Sequence, residues 1–330
     1  MRALFILPAL LDTAFLIDTL SDDDDDTVET STEPKIDETI ELTEENDLFL
    51  GDGDAERVLG GDGDDTLHGQ GGTDILLGEA GADSLTGGQD NDTLYGGDEN
   101  DTLHGQGGSD VLHGEVGDDY LEGDEGNDTI YGGEGNDTSY GGAGNDRIFL
   151  GAGRDVHVAE DLAEANGEDA GDDFIRGGGG ADFIADGLGS NTLHGDTGND
   201  YLSGLESHQF NEPHSPDTLD GGIGDDRLIG DDGDLLIGGE GADQFTVRHA
   251  YADDREAVII DDFDTNEDAL AIYLSDSALA PDQDELGQIV MELNEMTGEI
   301  TVSSGGEVLT ILRNMTEEDL DALTLQTYFS

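Results

Sequence analysis

From Gly60 onward, one large aliphatic residue recurs at every ninth position. The series is Leu67, Leu76, Leu85, Leu94, Leu103, Leu112, Leu121, Ile130 and Ile148, with Ser139 and His157 as its two lapses. Two positions before each stands an aspartate, without a slip: Asp65, Asp74, Asp83, Asp92, Asp101, Asp110, Asp119, Asp128, Asp137, Asp146 and Asp155. Every nine-residue line between Gly60 and Phe149 opens on glycine, so the aspartate is its sixth place and the aliphatic its eighth. The phase reaches back to Asp47 and Phe49. Residues 159–167 keep the length but lose the pattern, which returns as Asp173/Ile175, Asp182/Ile184, Asn191/Leu193 and Asp200/Leu202. After a break at 204–214 come Asp217/Leu219, Asp226/Leu228, Asp234/Leu236 and Asp243/Phe245, with one line a residue short.

One apolar residue in nine cannot build an ordinary core, but equivalent residues of stacked coils can form a continuous column. The triplet around each aliphatic alternates out, in, out, as a short strand does. The six residues before it are too rich in Gly, Asn and Asp for anything but a turn. The pattern therefore predicts an all-β solenoid. Residues 159–167 are expected to be either a coil lacking the repeat chemistry or a bulge between two sub-rolls. Ser139 and His157 are expected to weaken the apolar column.

Beyond 246 glycine thins out and apolar alternation appears in 257–263, 269–274, 288–293, 299–302 and 307–312, which reads as a small β-domain. At the other end, 1–20 is apolar but broken by Pro8, Asp12 and Asp18, too short and too charged for a membrane span. It is read either as a cleaved signal or anchor or as packing on the first coil. The expected organisation is an apolar segment (1–20), an acidic linker (21–41), a main array (42–203), an interruption (204–214), a second short array (215–246) and a C-terminal β cap (247–330) with a possible export signal.

Composition sharpens this picture. The chain of 330 residues carries 83 Asp or Glu against 10 Lys or Arg, a formal net charge of −73, with 52 glycines and no cysteine. Such a surface repels phosphate backbones, which excludes nucleic-acid binding, and it repels anionic membranes. Without cysteine there is no disulfide framework, thiol chemistry or Cys-ligated zinc. High charge with few aromatics would ordinarily mean disorder, but the strict period overrides that reading.

The lines follow G-G-x-G-x-D-x-U-x, where U is a large hydrophobic residue. The fullest copies are Gly132-Gly133-Glu134-Gly135-Asn136-Asp137 and Gly141-Gly142-Ala143-Gly144-Asn145-Asp146. This resembles the RTX, or haemolysin-type, calcium-binding repeat of bacterial proteins exported by type I secretion, with a serralysin-like C-terminal β-roll and cap region. The segment Val258-Ile259-Ile260-Asp261-Asp262-Phe263-Asp264, followed by Glu267-Asp268-Ala269-Leu270, resembles the I-x-D-F-x-x-x-x-D stretch that follows the last line in that family. The resemblance implies a right-handed parallel β-roll with two lines per coil and calcium between successive turns. It implies that the ligands are turn carbonyls and the sixth-place carboxylates, now including Asp173, Asp182, Asp200, Asp217, Asp226 and Asp243, with Asp65 paired to Asp83 and Asp74 to Asp92. The chemistry agrees, because calcium takes six to eight oxygens from carboxylates and carbonyls. Without metal, carboxylates stacked about 5 Å apart would repel by roughly 1–3 kcal/mol per pair. A largely unfolded apo chain that folds on binding calcium is expected.

Asp90 and Glu99 replace the fourth-place glycine, and Glu tolerates a left-handed backbone poorly, so weaker binding or another turn shape is expected there. The ninth places form two outward ladders, Leu77–Tyr95–His113–Tyr131–Phe149 and His68–Thr86–His104–Glu122–Tyr140. They are read as cross-strand stacking in preference to a glycan-binding stripe. No second ligand set is expected to meet the histidines. The N-x-T sequons at Asn91, Asn100, Asn127 and Asn136 are read as turn positions. No H-E-x-x-H, G-x-S-x-G, Walker A or EF-hand signature occurs, so a non-enzyme is expected. The sequence reads as an extracellular, bacterial calcium-binding protein, structural or adhesive in role. A polysaccharide-binding or polysaccharide-modifying module, and a secreted hydrolase or toxin, are the alternatives. The type I secretion machinery and surface or matrix glycans are the expected partners besides calcium.

Overall fold

A computed structural model describes residues 39–159, 171–205, 215–249, 256–274, 290–304, 307–323 and 325–329. The readings of 1–20 and of the linker as far as residue 38 lie outside these residues. The chain winds as a parallel β-roll of two sheets, one 15-stranded and one 13-stranded, and as far as Ala269–Leu274 successive strands alternate between them. Thr66–Gly71 pairs in parallel with Ser84–Gln89, while Ile75–Ala80 of the other sheet pairs with Thr93–Asp98. As far as Val158 the register is 18 residues in both sheets, as in the hydrogen bond from Asp65 to Asp83, so two lines make one coil.

The eighth-place residues point inward and stack. Leu76, Leu94, Leu112, Ile130, Ile148 and Ile175 form one fully buried column, and Leu67, Leu85, Leu103 and Leu121 begin the other. Both columns belong to a single core. The two lapses in the pattern are neighbours in the second column. Ser139 Oγ lies 2.9 Å from His157 Nδ1, both side chains buried, so the hydroxyl and that one ring nitrogen satisfy each other. Burial holds the His157 imidazole down to about 4, so it is neutral.

Neither break divides the roll. Arg147–Gly153 pairs directly with Phe174–Gly180, and Val156–Val158 with Phe183–Ala185, so both sheets continue across the line at 159–167. Residues 160–170 themselves lie outside the described residues. Likewise Thr192–Gly198 pairs with Thr218–Ile223 and Tyr201–Ser203 with Arg227–Gly230 across the 204–214 interruption. The linker read over 21–41 ends in a strand, Thr39–Glu41, that pairs with Arg57–Asp62.

The C-terminal strands continue the same two sheets. Val258–Ile260 pairs with Leu235–Glu240 and then with Glu307–Leu312, all in parallel, while Ala269–Leu274 joins Gln244–His249 to Leu325–Phe329. Among the described residues only Glu299–Ser304 pairs antiparallel, with Glu307–Leu312 on one side and Val290–Asn294 on the other, closing the end of the larger sheet. One short helix, Glu317–Ala322, carries a Thr316/Asp319 capping box. Among the described residues no helix is long and apolar enough to cross a membrane.

Candidate metal centre

The two-sheet winding sorts the sixth-place residues into two rows, one ahead of each sheet. The first runs Asp47, Asp65, Asp83, Asp101, Asp119, Asp137, Asp155, Asp182, Asp200, Asp226, Asp243. The second runs Asp74, Asp92, Asp110, Asp128, Asp146, Asp173, Asn191, Asp217. Along each row the backbone N–H of one residue donates to the Oδ1 of the next, at 2.7 to 3.0 Å. Every aspartate of the predicted set is a rung. The fifth-place side chains reach the other way: Asn91 Oδ1 accepts from the Ser109 N–H, and Asn100 Oδ1 from the Asp118 N–H. The sequons at Asn91, Asn100, Asn127 and Asn136 are positions of this second ladder, since the Asn127 and Asn136 amides also accept backbone N–H groups from the next coil.

One oxygen of each carboxylate is thus committed. The other, Oδ2, is buried without a hydrogen bond at Asp65, Asp74, Asp83, Asp92, Asp101, Asp110, Asp119, Asp128, Asp137, Asp155, Asp182, Asp200, Asp217 and Asp226. An unpaired buried carboxylate oxygen is costly, and a recurring one points to a missing partner. Except at Asp155, whose line opens on Leu150, the space beside it is kept open by a preceding glycine. A Cβ on Gly105 would lie 2.5 Å from Asp110 Oδ2 and 2.8 Å from the Gly123 carbonyl oxygen, and one on Gly177 would lie 2.6 Å from Asp182 Oδ2 and 2.8 Å from the Gly195 oxygen. Each gap is therefore lined by a carboxylate oxygen and a carbonyl oxygen of the adjacent coil. This donor set is all oxygen, which suits a hard divalent cation.

The electrostatics say the same. Burial raises Asp92, Asp101, Asp128, Asp137 and Asp200 to about 7; the N–H from the preceding coil pulls each back, and neighbouring carboxylates add to the rise. Asp65, Asp83, Asp110 and Asp119 rise to about 6, burial again leading. Asp217 goes furthest, to about 10, through burial and then the charge of Asp234, with Asp186 and Asp231 contributing. These four aspartates are all buried.

Several members of the rows lie outside the predicted set. Glu56 heads the second row, its N–H bonded to Asp74 Oδ1, and burial raises its carboxyl to about 8. Asp234 accepts from the Asp217 N–H, and Asp268 ends the first row by accepting from Asp243. Asp262 accepts from the N–H groups of both Gly238 and Gly239, and Phe263 packs on Phe245 with ring centroids 5.8 Å apart. The I-x-D-F-x-x-x-x-D stretch thus joins the last full line to the strands beyond it. Asp90 and Glu99 adopt left-handed backbone, φ 73° and 82°, whereas the fourth-place glycines Gly81, Gly108 and Gly117 stand at 136°, 152° and 153°, so the turn takes another shape at these two places, as expected. Second-place Gln70, Glu79, Gln106, Glu115 and Asp124 also adopt left-handed backbone.

On the outer face, Tyr95, His113 and Tyr131 stack nearly parallel, with centroids 4.6 and 4.7 Å apart, and Phe149 follows at 5.2 Å. These rings cover one another's faces. The expectation that the histidines meet no other ligands is corrected at His104, whose ring approaches both Glu122 and Asp124.

The family model described as RTX calcium-binding nonapeptide repeat (4 copies) matches residues 37–67, 50–85, 68–103, 86–121, 104–139, 113–148, 122–156, 169–202 and 215–245. The matches leave out the same two breaks that the sheets bridge. No curated protein matches the chain.

Proposed function

The chain belongs to the family of RTX calcium-binding nonapeptide-repeat proteins, and from that premise we propose a secreted protein whose roll is assembled by the calcium it binds. The residues proposed to hold calcium are the sixth-place aspartates of the two rows, together with first-place carbonyls of the adjacent coil. The observation that carries the proposal is the run of buried Oδ2 atoms without hydrogen bonds, each save that of Asp155 beside a gap that a Cβ on a glycine would fill. Bound calcium would supply the positive charge that makes stacking these carboxylates favourable, so metal binding and folding are one equilibrium. Titrating calcium into the metal-free chain, with calorimetry and circular dichroism read together, tests this. The expected result is a cooperative gain of β signal at the binding midpoint. Binding without any gain of structure would overturn it.

The role follows from that coupling. Where calcium is scarce, the carboxylates repel and the chain stays loose enough for export by a type I machinery. Outside the cell the coils close. We infer a non-catalytic, structural or adhesive protein at the cell surface or in the matrix, because the repeat roll and its continuation make up most of the described residues. Detection of the protein in culture supernatant, in a form that resists protease only with calcium, is the corresponding test. A polysaccharide-binding or polysaccharide-modifying module is the second reading, supported by the ring row from Tyr95 to Phe149. Because those rings cover one another, they offer a sugar their edges, and the structural reading is preferred.

A further inference from the structure

The ladder His68–Thr86–His104–Glu122–Tyr140 lies on the outer face of the smaller sheet, away from the carboxylate rows. His104 and Glu122 are cross-strand partners, and His104 Nδ1 sits 2.9 Å from Glu122 Oε2. Two residues further, Asp124 occupies a second place with left-handed backbone, φ 71°. One ligand atom each from His104, Glu122 and Asp124 falls within a single 4.8 Å cluster, and all three residues are partly buried. The Tyr120 hydroxyl donates to Glu122 Oε2 at 3.1 Å and so helps to orient that carboxylate. Burial, and after it the charge of Glu122, raises Asp124 above its ordinary range, so the two carboxylates oppose each other.

A comparable arrangement elsewhere in the roll shows how the fold can relieve such opposition. His194 Nδ1 lies 3.4 Å from Asp220 Oδ2, and nearby Asp196, at a second place like Asp124, is held by Arg176 through both Nε and Nη2. There a guanidinium neutralises the second-place acid. Among the described residues no Arg or Lys forms an ion pair with Glu122 or Asp124.

We propose that His104, Glu122 and Asp124 form a binding site for a zinc-class divalent transition ion, separate from the calcium rows. Calcium prefers an all-oxygen set, whereas one imidazole with two carboxylates is a donor set that suits zinc and its first-row neighbours. Three protein ligands leave a further position for water. The ligands come from two neighbouring coils, so the site exists only when the roll is wound, and the order of loading is calcium first and the transition ion second.

The test uses the full chain saturated with calcium. Zinc chloride is titrated in while the side chains of the eight histidines are followed by NMR, and binding is measured in parallel by calorimetry. The expected result is one event that moves the His104 ring at substoichiometric zinc, survives excess calcium, and weakens at least about tenfold in His104→Gln and in Glu122→Gln but not in His113→Gln. Wild-type data alone can overturn the proposal: no binding, displacement by calcium, or binding that leaves the His104 ring unmoved would each do so. Equal zinc affinity in His104→Gln, with its calcium-induced circular dichroism intact, would show only diffuse attraction to the acidic surface and would overturn it as well.

Discussion

The backbone N–H of Asp101 donates to Oδ1 of Asp119 over 2.8 Å, while Oδ2 of Asp119 is buried beside it without a hydrogen bond. One carboxylate therefore joins two coils through one oxygen and offers the other to a cation. The two functions can be separated by substitution. Asp119→Asn keeps an acceptor for the Asp101 amide but loses the charge, and Asp119→Ala loses both. Calcium titration should show a higher midpoint and reduced cooperativity in each. Asp119→Ala should also lose about 1–3 kcal/mol of stability at saturating calcium, the cost of a buried amide left unpaired. Unchanged affinity and stoichiometry in both variants would remove Asp119 from the ligand set.

Gly105 and Gly71 give a matched pair. A Cβ at Gly105 would close the gap between Asp110 Oδ2 and the Gly123 carbonyl, whereas a Cβ at Gly71 meets nothing within 4 Å. Gly105→Ala should lower calcium affinity by about tenfold or more, equivalent to about 1.4 kcal/mol, while Gly71→Ala leaves it near that of the parent. Calorimetric titration of the two variants side by side decides the matter.

The metal-free chain should respond to acid in an unusual direction. Asp92, Asp101, Asp128, Asp137 and Asp200 rise, mainly through burial, from an ordinary 3.8 to about 7 in the roll. Between those limits the wound form holds more protons than the unwound one, so its stability falls as pH rises through that window and is regained as pH falls. His157, held at about 4 by burial, opposes this at the acid end, because its imidazole takes a proton more readily when unwound. Circular dichroism without calcium should show more β structure near about pH 5 than near about pH 8, and calcium affinity should drop over the same interval as protons compete.

Ser139 and His157 make a reciprocal prediction. His157→Leu alone leaves the buried Ser139 hydroxyl without its partner and should cost about 1–3 kcal/mol. The double change Ser139→Leu with His157→Leu restores the aliphatic column and removes the buried His157 Nε2 that lacks a hydrogen bond, so thermal unfolding with calcium present should return to the parent temperature or exceed it.

The winding was legible because its period is rigid. The spacing of nine marks the repeat, and the two lines per coil that the family resemblance implies then place Asp65 against Asp83 and Leu67 against Leu85, as found. What stayed hidden depended on interactions that periodicity does not encode. Glu56 fills a sixth place with a longer side chain, and Asp268 stands 25 residues after Asp243 instead of 18, so neither announces itself as a rung. The approach of His104 to Asp124 joins a ninth place to a second place of a later line, a relation that appears only once the coils are stacked.

The sheets run unbroken past the extra residues at 160–170 and 206–214, because pairing resumes at separations of 27 and 26 residues in place of 18. The roll's length is therefore a count of carboxylate rungs and not of amino acids. Each added coil lengthens it by about 4.8 Å, the spacing between neighbouring strands, while material inserted at a turn leaves the ruler unchanged. The molecule can thus be read as a graduated rod with two natural mounting points, where a foreign segment could be carried on its side without altering its span.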